Sequence, residues 1–191
     1  DDDWDFFSRG PPDSLRDAGY KNTAYALGEL VDNSVEADAT NVDIMMLESL
    51  QTANKQRRWR IDEIAILDNG HGMDPFQLRC GLKYQDGAAQ RGWGRSKTGG
   101  KKMGKFGVGL PQATLSQCRR VDIWSWENGG PETAVWTWFD LDDWRGKIPE
   151  PIQNPIPDYW KQSSGIWDDS GTLIVWSNLD RLKWKTSQGM H

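Results

Sequence analysis

"ALGELVDNSVEADAT", residues 26–40, decides how the rest of the chain is read. Leu27, Leu30, Val31 and Val35 recur at helical spacing and predict an amphipathic helix with one apolar stripe. The opposite stripe carries Glu29, Asp32, Asn33 and Glu36. Solvated helix faces usually mix Lys with Glu, because opposite charges three or four residues apart attract and like charges repel. Here no Lys or Arg occurs from Asn22 to Asn54. Either this face is simply solvated, or it waits for a cation supplied from elsewhere.

Outward from this helix, the chain has the size of one domain. Its 191 residues can bury roughly 70% of their unfolded surface. A net charge of -5 gives no general attraction to nucleic acid or anionic membrane. No apolar run reaches membrane-spanning length, and the acidic start "DDDWDFF" is unlike a signal peptide. Cys80 and Cys118 lack metal-site spacing and read as two buried free thiols. These features predict a soluble cytoplasmic protein, or a nuclear one if the source is eukaryotic. The absence of an initial Met and the end at "KTSQGMH" read as a piece of a longer chain.

The segments divide into an N-terminal arm (1–13), a main domain (14–180) and a C-terminal tail (181–191) leading to a further region. Residues 14–37 read as helix, "NVDIMML" as a strand, "ESLQTANKQRR" as a polar loop, and "WRIDEIAIL" as a strand running into "DNGHGM". Asp74-Pro75 opens a helix to about Tyr84, since Pro is tolerated where a first-turn N–H has no partner. "LPQATLSQC" reads as helix, "RVDIWSW" and "TAVWTWF" flank a hairpin turn, and "GTLIVWSNL" is a last strand. Residues 140–170, with four Pro, read as mostly irregular. Helices mixed with sequentially paired strands predict an α+β fold with antiparallel pairing.

The cation-rich counterpart to the acidic helix is "RGWGRSKTGGKKMGKFGVG", residues 91–109. It holds six Lys and Arg, seven Gly, and no acid from Asp86 to Asp122. Glycines let a backbone approach a ligand closely, and the unpaired N–H groups at a following helix start attract anions. The segment is either a phosphate cradle or a solvated loop. It is not a P-loop: in "GGKKMGKF" Phe106 stands where a Mg²⁺-binding hydroxyl belongs, and no apolar strand precedes it.

Opposite such a cradle the acidic face acquires a purpose. The Asn33 side-chain oxygen is a suitable Mg²⁺ ligand beside phosphates and water. Glu29, one turn earlier, could deprotonate a water for in-line attack on a γ-phosphate. Asp68, at the end of an apolar strand, is either a turn-capping acid or the acceptor for an adenine amino group. Gly72 would then let the ring approach, Met73 would pack on it, and the Thr172 hydroxyl would complete the contact.

In order along the chain, "ELVDN" (29–33), "DNGHGM" (68–73), "GKFGVGL" (104–110) and "GT" (171–172) resemble the four boxes of the GHKL superfamily. That superfamily comprises the gyrase, heat-shock chaperone, histidine kinase and MutL ATP-binding domains. The first box is most similar to MutL, the third to the large heat-shock chaperones, and "GTLIVWSNL" to the MORC ATPases. The resemblance implies a Bergerat-type α/β sandwich, with a mixed, largely antiparallel sheet covered on one face by helices. A mobile ATP lid would span about 85–109.

The resemblance also implies roles. Glu29 would be the general base, Asn33 the Mg²⁺ ligand and Asp68 the adenine reader, with Gly70, Gly72, Met73 and Thr172 lining the base pocket. Gly104, Phe106, Gly107, Val108, Gly109 and Leu110 would bind phosphates through their backbone; the family's γ-phosphate cation comes from a following transducer domain, and Lys102 or Lys105 would substitute for it here. Asp32 and Glu36 would lie on the pocket rim, and His71 would be a turn residue.

The activity implied is Mg²⁺-dependent ATP hydrolysis, slow in this chain alone. ATP would close the lid and promote a homodimer linked to transducer or effector domains, with nucleic acid contacted only through other regions and no membrane involved. A protein kinase of the histidine or anti-sigma type and a non-catalytic ATP-sensing module remain open alternatives.

Overall fold

The computed structural model describes residues 16–17, 19–20, 22–53, 55–82, 109–142 and 147–184. The arm, most of the lid segment, and the lid residues Lys102, Gly104, Lys105, Phe106, Gly107 and Val108 lie outside the described residues.

Six strands form one sheet: β1 (Val42–Ala53), β2 (Gln56–Asp68), β3 (Cys118–Trp126), β4 (Val135–Asp140), β5 (Ile152–Gln153) and β6 (Gly171–Leu179). Their spatial order is β1-β2-β6-β3-β4-β5, and every pairing is antiparallel. The last strand therefore inserts between β2 and β3. This insertion places Thr172 opposite Asp68 on one side and opposite Ser125 on the other.

Among the described residues, the α-helices α1 (Thr23–Glu36), α2 (Pro75–Leu82), α3 (Gly109–Leu115) and α4 (Asp158–Ser163) accompany the sheet. The helix read over residues 14–37 is interrupted. Residues 19, 20 and 22 are not helical, and Asn22 caps α1 by accepting the Ala24 N–H at 2.8 Å. A side-chain oxygen that satisfies an orphan N–H starts a new helix there, so α1 begins at Thr23. Pro75 opens α2 as expected. Asp74 and Gln77 bond reciprocally, Gln77 N–H to Asp74 Oδ1 at 2.8 Å and Asp74 N–H to Gln77 Oε1 at 3.1 Å.

The polar loop expected at residues 48–58 is mostly strand. β1 and β2 continue as a ladder to the pair Ala53–Gln56, with a register shift between Leu47 and Glu48. Its side chains are largely exposed on both faces, so the ribbon carries no clean apolar alternation for a sequence reading to detect.

Alternation along the central strands buries both sheet faces. Ile64, Ile66, Val121, Ile123, Ile174 and Trp176 meet Leu27, Leu30, Leu78 and Leu110 of the helical layer. Ala65, Leu67, Trp124, Trp126, Leu173 and Val175 face the other way, onto Ile156 and Trp160. The segment read as irregular thus includes α4 and covers the second face. Part of the abundant Trp gathers here: Trp124 and Trp136 lie with ring centroids 6.2 Å apart, and Trp126 and Trp167 5.9 Å apart. Cys118 is a buried free thiol, whereas Cys80 is only half-buried. Among the described residues no helix is long and apolar enough to cross a membrane.

Candidate functional site

The site begins with how α1 is rotated. Its buried residues are Thr23, Ala26, Leu27, Leu30 and Ser34, while Val35, expected in the apolar stripe, is 62% exposed. Ser34 takes the inward position because its hydroxyl contacts both the Leu30 carbonyl at 3.1 Å and Asp68 Oδ2 at 2.9 Å. That rotation leaves Glu29 and Asn33 half-buried at the edge of the helical layer and Asp32 and Glu36 exposed.

Asp68 closes β2 and is buried, 6% exposed. Its carboxylate accepts the Gly70 N–H on Oδ1 at 2.9 Å and the Ser34 hydroxyl on Oδ2. Burial pushes its pKa up; the bonds from Gly70 and Ser34 and the nearby His71 oppose that rise. With the Thr172 backbone N–H beside it as well, a carboxylate of about four acceptor positions still has room for one more donor.

The turn after Asp68 is locked from several sides. Asn69 Oδ1 accepts the N–H groups of Thr40 and Asn41 at 3.0 and 2.9 Å. His71 donates its N–H to the Ala37 carbonyl and its side chain is exposed, a turn residue as expected. Gly72 has φ +70°, and a Cβ there would lie 2.0 Å from the Trp126 carbonyl oxygen. Only glycine meets both conditions. The "GT" pair is likewise sterically fixed: a Cβ on Gly171 would meet the Asp68 carbonyl at 2.4 Å and the Trp126 ring at 2.7 Å.

Asp68, Thr172 and Ser125 sit side by side on three adjacent strands, all on the helix-covered face. Ser125 Oγ accepts the Met73 N–H at 2.9 Å, donates to the Gly171 carbonyl at 3.1 Å, and lies 2.9 Å from Thr172 Oγ1. Thr172 thus turns its hydroxyl toward Ser125, while its backbone N–H lies near the Asp68 carboxylate. A cleft of about 240 Å³ opens beside Met73 and Ser125, lined also by Asp74, Pro75 and Glu127. None of Glu29, Asn33 or Asp68 lines it, so it flanks this constellation rather than containing it.

On the other side of α1, Glu29 meets two elements. Tyr20 donates its hydroxyl to Glu29 Oε2 at 2.9 Å, and a Cβ on Gly109 would lie only 2.1 Å from Oε1. The start of α3 is therefore pressed against this carboxylate. Leu110 places its side chain in the helix-side core. The Asn33 side-chain amide makes no hydrogen bond to a described residue, and no described ion pair uses Glu29, Asp32, Glu36 or Asp68. Among the described residues no cluster of three or more His, Cys, Asp or Glu could cage a metal by itself. The donor set suits a hard cation that keeps most of its ligands from phosphate and water, as Mg²⁺ does.

The sequence matches the family described as "Histidine kinase-, DNA gyrase B-, and HSP90-like ATPase" over residues 20–166. That span covers most of the chain and includes Glu29, Asn33 and Asp68. The chain belongs to this ATPase family. As a histidine kinase-, gyrase B- and HSP90-like ATPase domain, it is an ATP-binding domain of the GHKL type. No curated protein matches it. Among solved structures, the crystal structure of the 43K ATPase domain of Thermus thermophilus gyrase B in complex with an aminocoumarin is similar at 14% identity and a TM-score of 0.45. That alignment covers 86% of this chain and 37% of the gyrase chain.

Three residues that the structure brings to the candidate site escaped the sequence reading. Ser34 was legible in principle, since it continues the Ala26–Leu30 line at a spacing of four. Ser125 is set by strand register and Tyr20 by the path of the chain before α1. Neither leaves a local sequence signal.

Proposed function

We propose that this domain binds Mg²⁺·ATP between α1, the end of β2 and the start of α3, and hydrolyses it. The observation that carries the reading is that one helix joins both halves of the site. Through Ser34, α1 holds the buried acceptor Asp68; through Glu29, it faces Gly109. In this reading the adenine amino group donates to Asp68, with Gly70, Gly72, Met73 and Thr172 around the ring. Asn33 would hold the Mg²⁺, whose charge neutralises phosphate oxygens. Glu29 accepts a proton from a water as the water oxygen attacks the γ-phosphorus in line; the bond to the β-phosphate oxygen breaks and ADP leaves.

The lid residues Lys102, Gly104, Lys105, Phe106, Gly107, Val108, Gly109 and Leu110 complete the phosphate side, and Asp32 and Glu36 form the rim. The hydrolytic branch, with MutL, the large heat-shock chaperones and MORC ATPases as nearest in motif, supplies the wider role. ATP closes the lid, promotes a homodimer and signals to transducer or effector domains, so binding energy is converted into a population shift. Nucleic acid would be contacted only through those other regions, in cytoplasm or nucleus.

Glu29→Ala tests the core of the reading. We expect nucleotide binding to persist while phosphate release from γ-labelled ATP falls about 10²–10⁴-fold, the usual contribution of a general base. Parental turnover in the variant would remove the assignment. Label appearing on protein would favour the kinase alternative, and bound ATP with neither product a sensing module. Under a non-hydrolysable analogue, light scattering should report a dimer.

A further inference from the structure

A catalytic carboxylate on a helix surface has three rotatable bonds, and rate depends on how narrowly they are held. Among the described residues Glu29 has one hydrogen-bond partner, the Tyr20 hydroxyl at 2.9 Å on Oε2. Gly109 lies against the other oxygen, so the two carboxylate oxygens face different elements. Tyr20 is itself fixed. Its carbonyl accepts from Gln117 Nε2 at 2.9 Å, and Gln117 is fully buried. Gln117 Oε1 in turn accepts the Thr23 hydroxyl at 2.7 Å, at the first residue of α1. The Tyr20 ring packs on the helix-side core. Burial, then the hydrogen bond and charge of Glu29, hold its pKa up at about 12, so the phenol remains a donor throughout the neutral range.

We propose that Tyr20 is a positioning residue for Glu29: its phenol anchors Oε2 and leaves Oε1, which takes no hydrogen bond from a described residue, to accept the proton of the attacking water. The proposal rests on the reading of Glu29 as general base. Tyr20 touches no reacting atom in this scheme and acts through the carboxylate alone. Gln117 gives that anchor its rigidity, by tying the Tyr20 backbone to the first residue of the helix that carries Glu29.

The test is Tyr20→Phe in the whole chain, which removes one oxygen and keeps the ring. Single-turnover hydrolysis of prebound γ-labelled ATP reads only folded, nucleotide-loaded molecules, so a partly unfolded sample does not distort the result. We expect the hydrolysis rate to fall about tenfold or more, with the ATP dissociation constant within about twofold of the parent, because misplacing a catalytic group costs rate rather than ground-state binding. In a Glu29→Ala background the same substitution should cause no further loss. An unchanged rate for Tyr20→Phe beside an inactive Glu29→Ala overturns the proposal while sparing the base assignment. So does an equal loss in both backgrounds. Parental turnover in Glu29→Ala overturns both together.

Discussion

In the proposed reading, Asp68 puts one buried charge to the service of binding at some cost to the fold. Its raised pKa means that the folded chain holds this proton more readily than the unfolded chain does. The group therefore favours folding in acid, and that contribution is lost as pH rises through the raised value. Asp68→Asn should remove this slope, so the variant gains on the parent in nucleotide-free thermal melts from acid to neutral pH. The amide fits: its NH₂ can donate to Ser34 Oγ while Ser34 donates to the Leu30 carbonyl. ATP affinity should nevertheless weaken by on the order of 1.5–3 kcal/mol, the worth of a charge-assisted hydrogen bond, read by calorimetric titration. Stability up with affinity down separates a ligand-reading acid from a turn cap. Residue identity made Asp68 legible, because "DNGHGM" places an acid, a tight turn and close-packing glycines together. Ser34 stayed hidden among the polar residues around it, since its meaning depends on which way α1 is turned.

The elements illustrate what periodicity does and does not supply. It located α1 and its polar face, yet Val35 is exposed where an apolar stripe predicted burial. A helix of this length offers several rotations of similar hydrophobic burial, and the Ser34–Asp68 contact across 34 residues selects among them. The β1–β2 ribbon failed differently: with both faces wet, hydrophobicity has no period to report. The meeting of α1 with α3 depends on Gly109. A methyl there would sit 2.1 Å from Glu29 Oε1, so either the carboxylate or the start of α3 must move. Gly109→Ala should accordingly slow hydrolysis by about 10²-fold, the scale of a misplaced catalytic group, with a smaller loss in nucleotide affinity. Equal effects on rate and affinity would indicate that α3, rather than Glu29, had yielded.

For the molecule as a whole, the sheet separates two tasks. Its helix-covered face carries Asp68, Thr172 and Ser125, while its other face carries the tryptophan layer under residues 154–167. The composition announced many Trp, and the β3–β4 hairpin sets Trp124 opposite Trp136; the packing of that layer against residues 154–167 is a long-range event that no local pattern encodes. The separation makes two tryptophans diverge in their effects. Trp160 is 2% exposed and belongs wholly to the second layer, so Trp160→Ala should cost about 3–5 kcal/mol of stability by cavity formation. Its urea midpoint should fall by on the order of 2 M for a slope of about 2 kcal/mol/M, and the remaining folded protein should bind ATP with parental affinity. Trp126 belongs to the same layer, but its carbonyl backs Gly72 and its ring backs Gly171, the two glycines beside the proposed adenine side. It is also held by an indole N–H bond to the Asp168 carbonyl at 3.1 Å. Trp126→Ala frees that segment of β3 from the layer and lets the Gly72 turn relax into the space. It should therefore lower both stability and ATP affinity, where Trp160→Ala lowers stability alone. If both variants retained full affinity, the second layer would be no more than a cover, and the site's shape would rest on the helical face by itself.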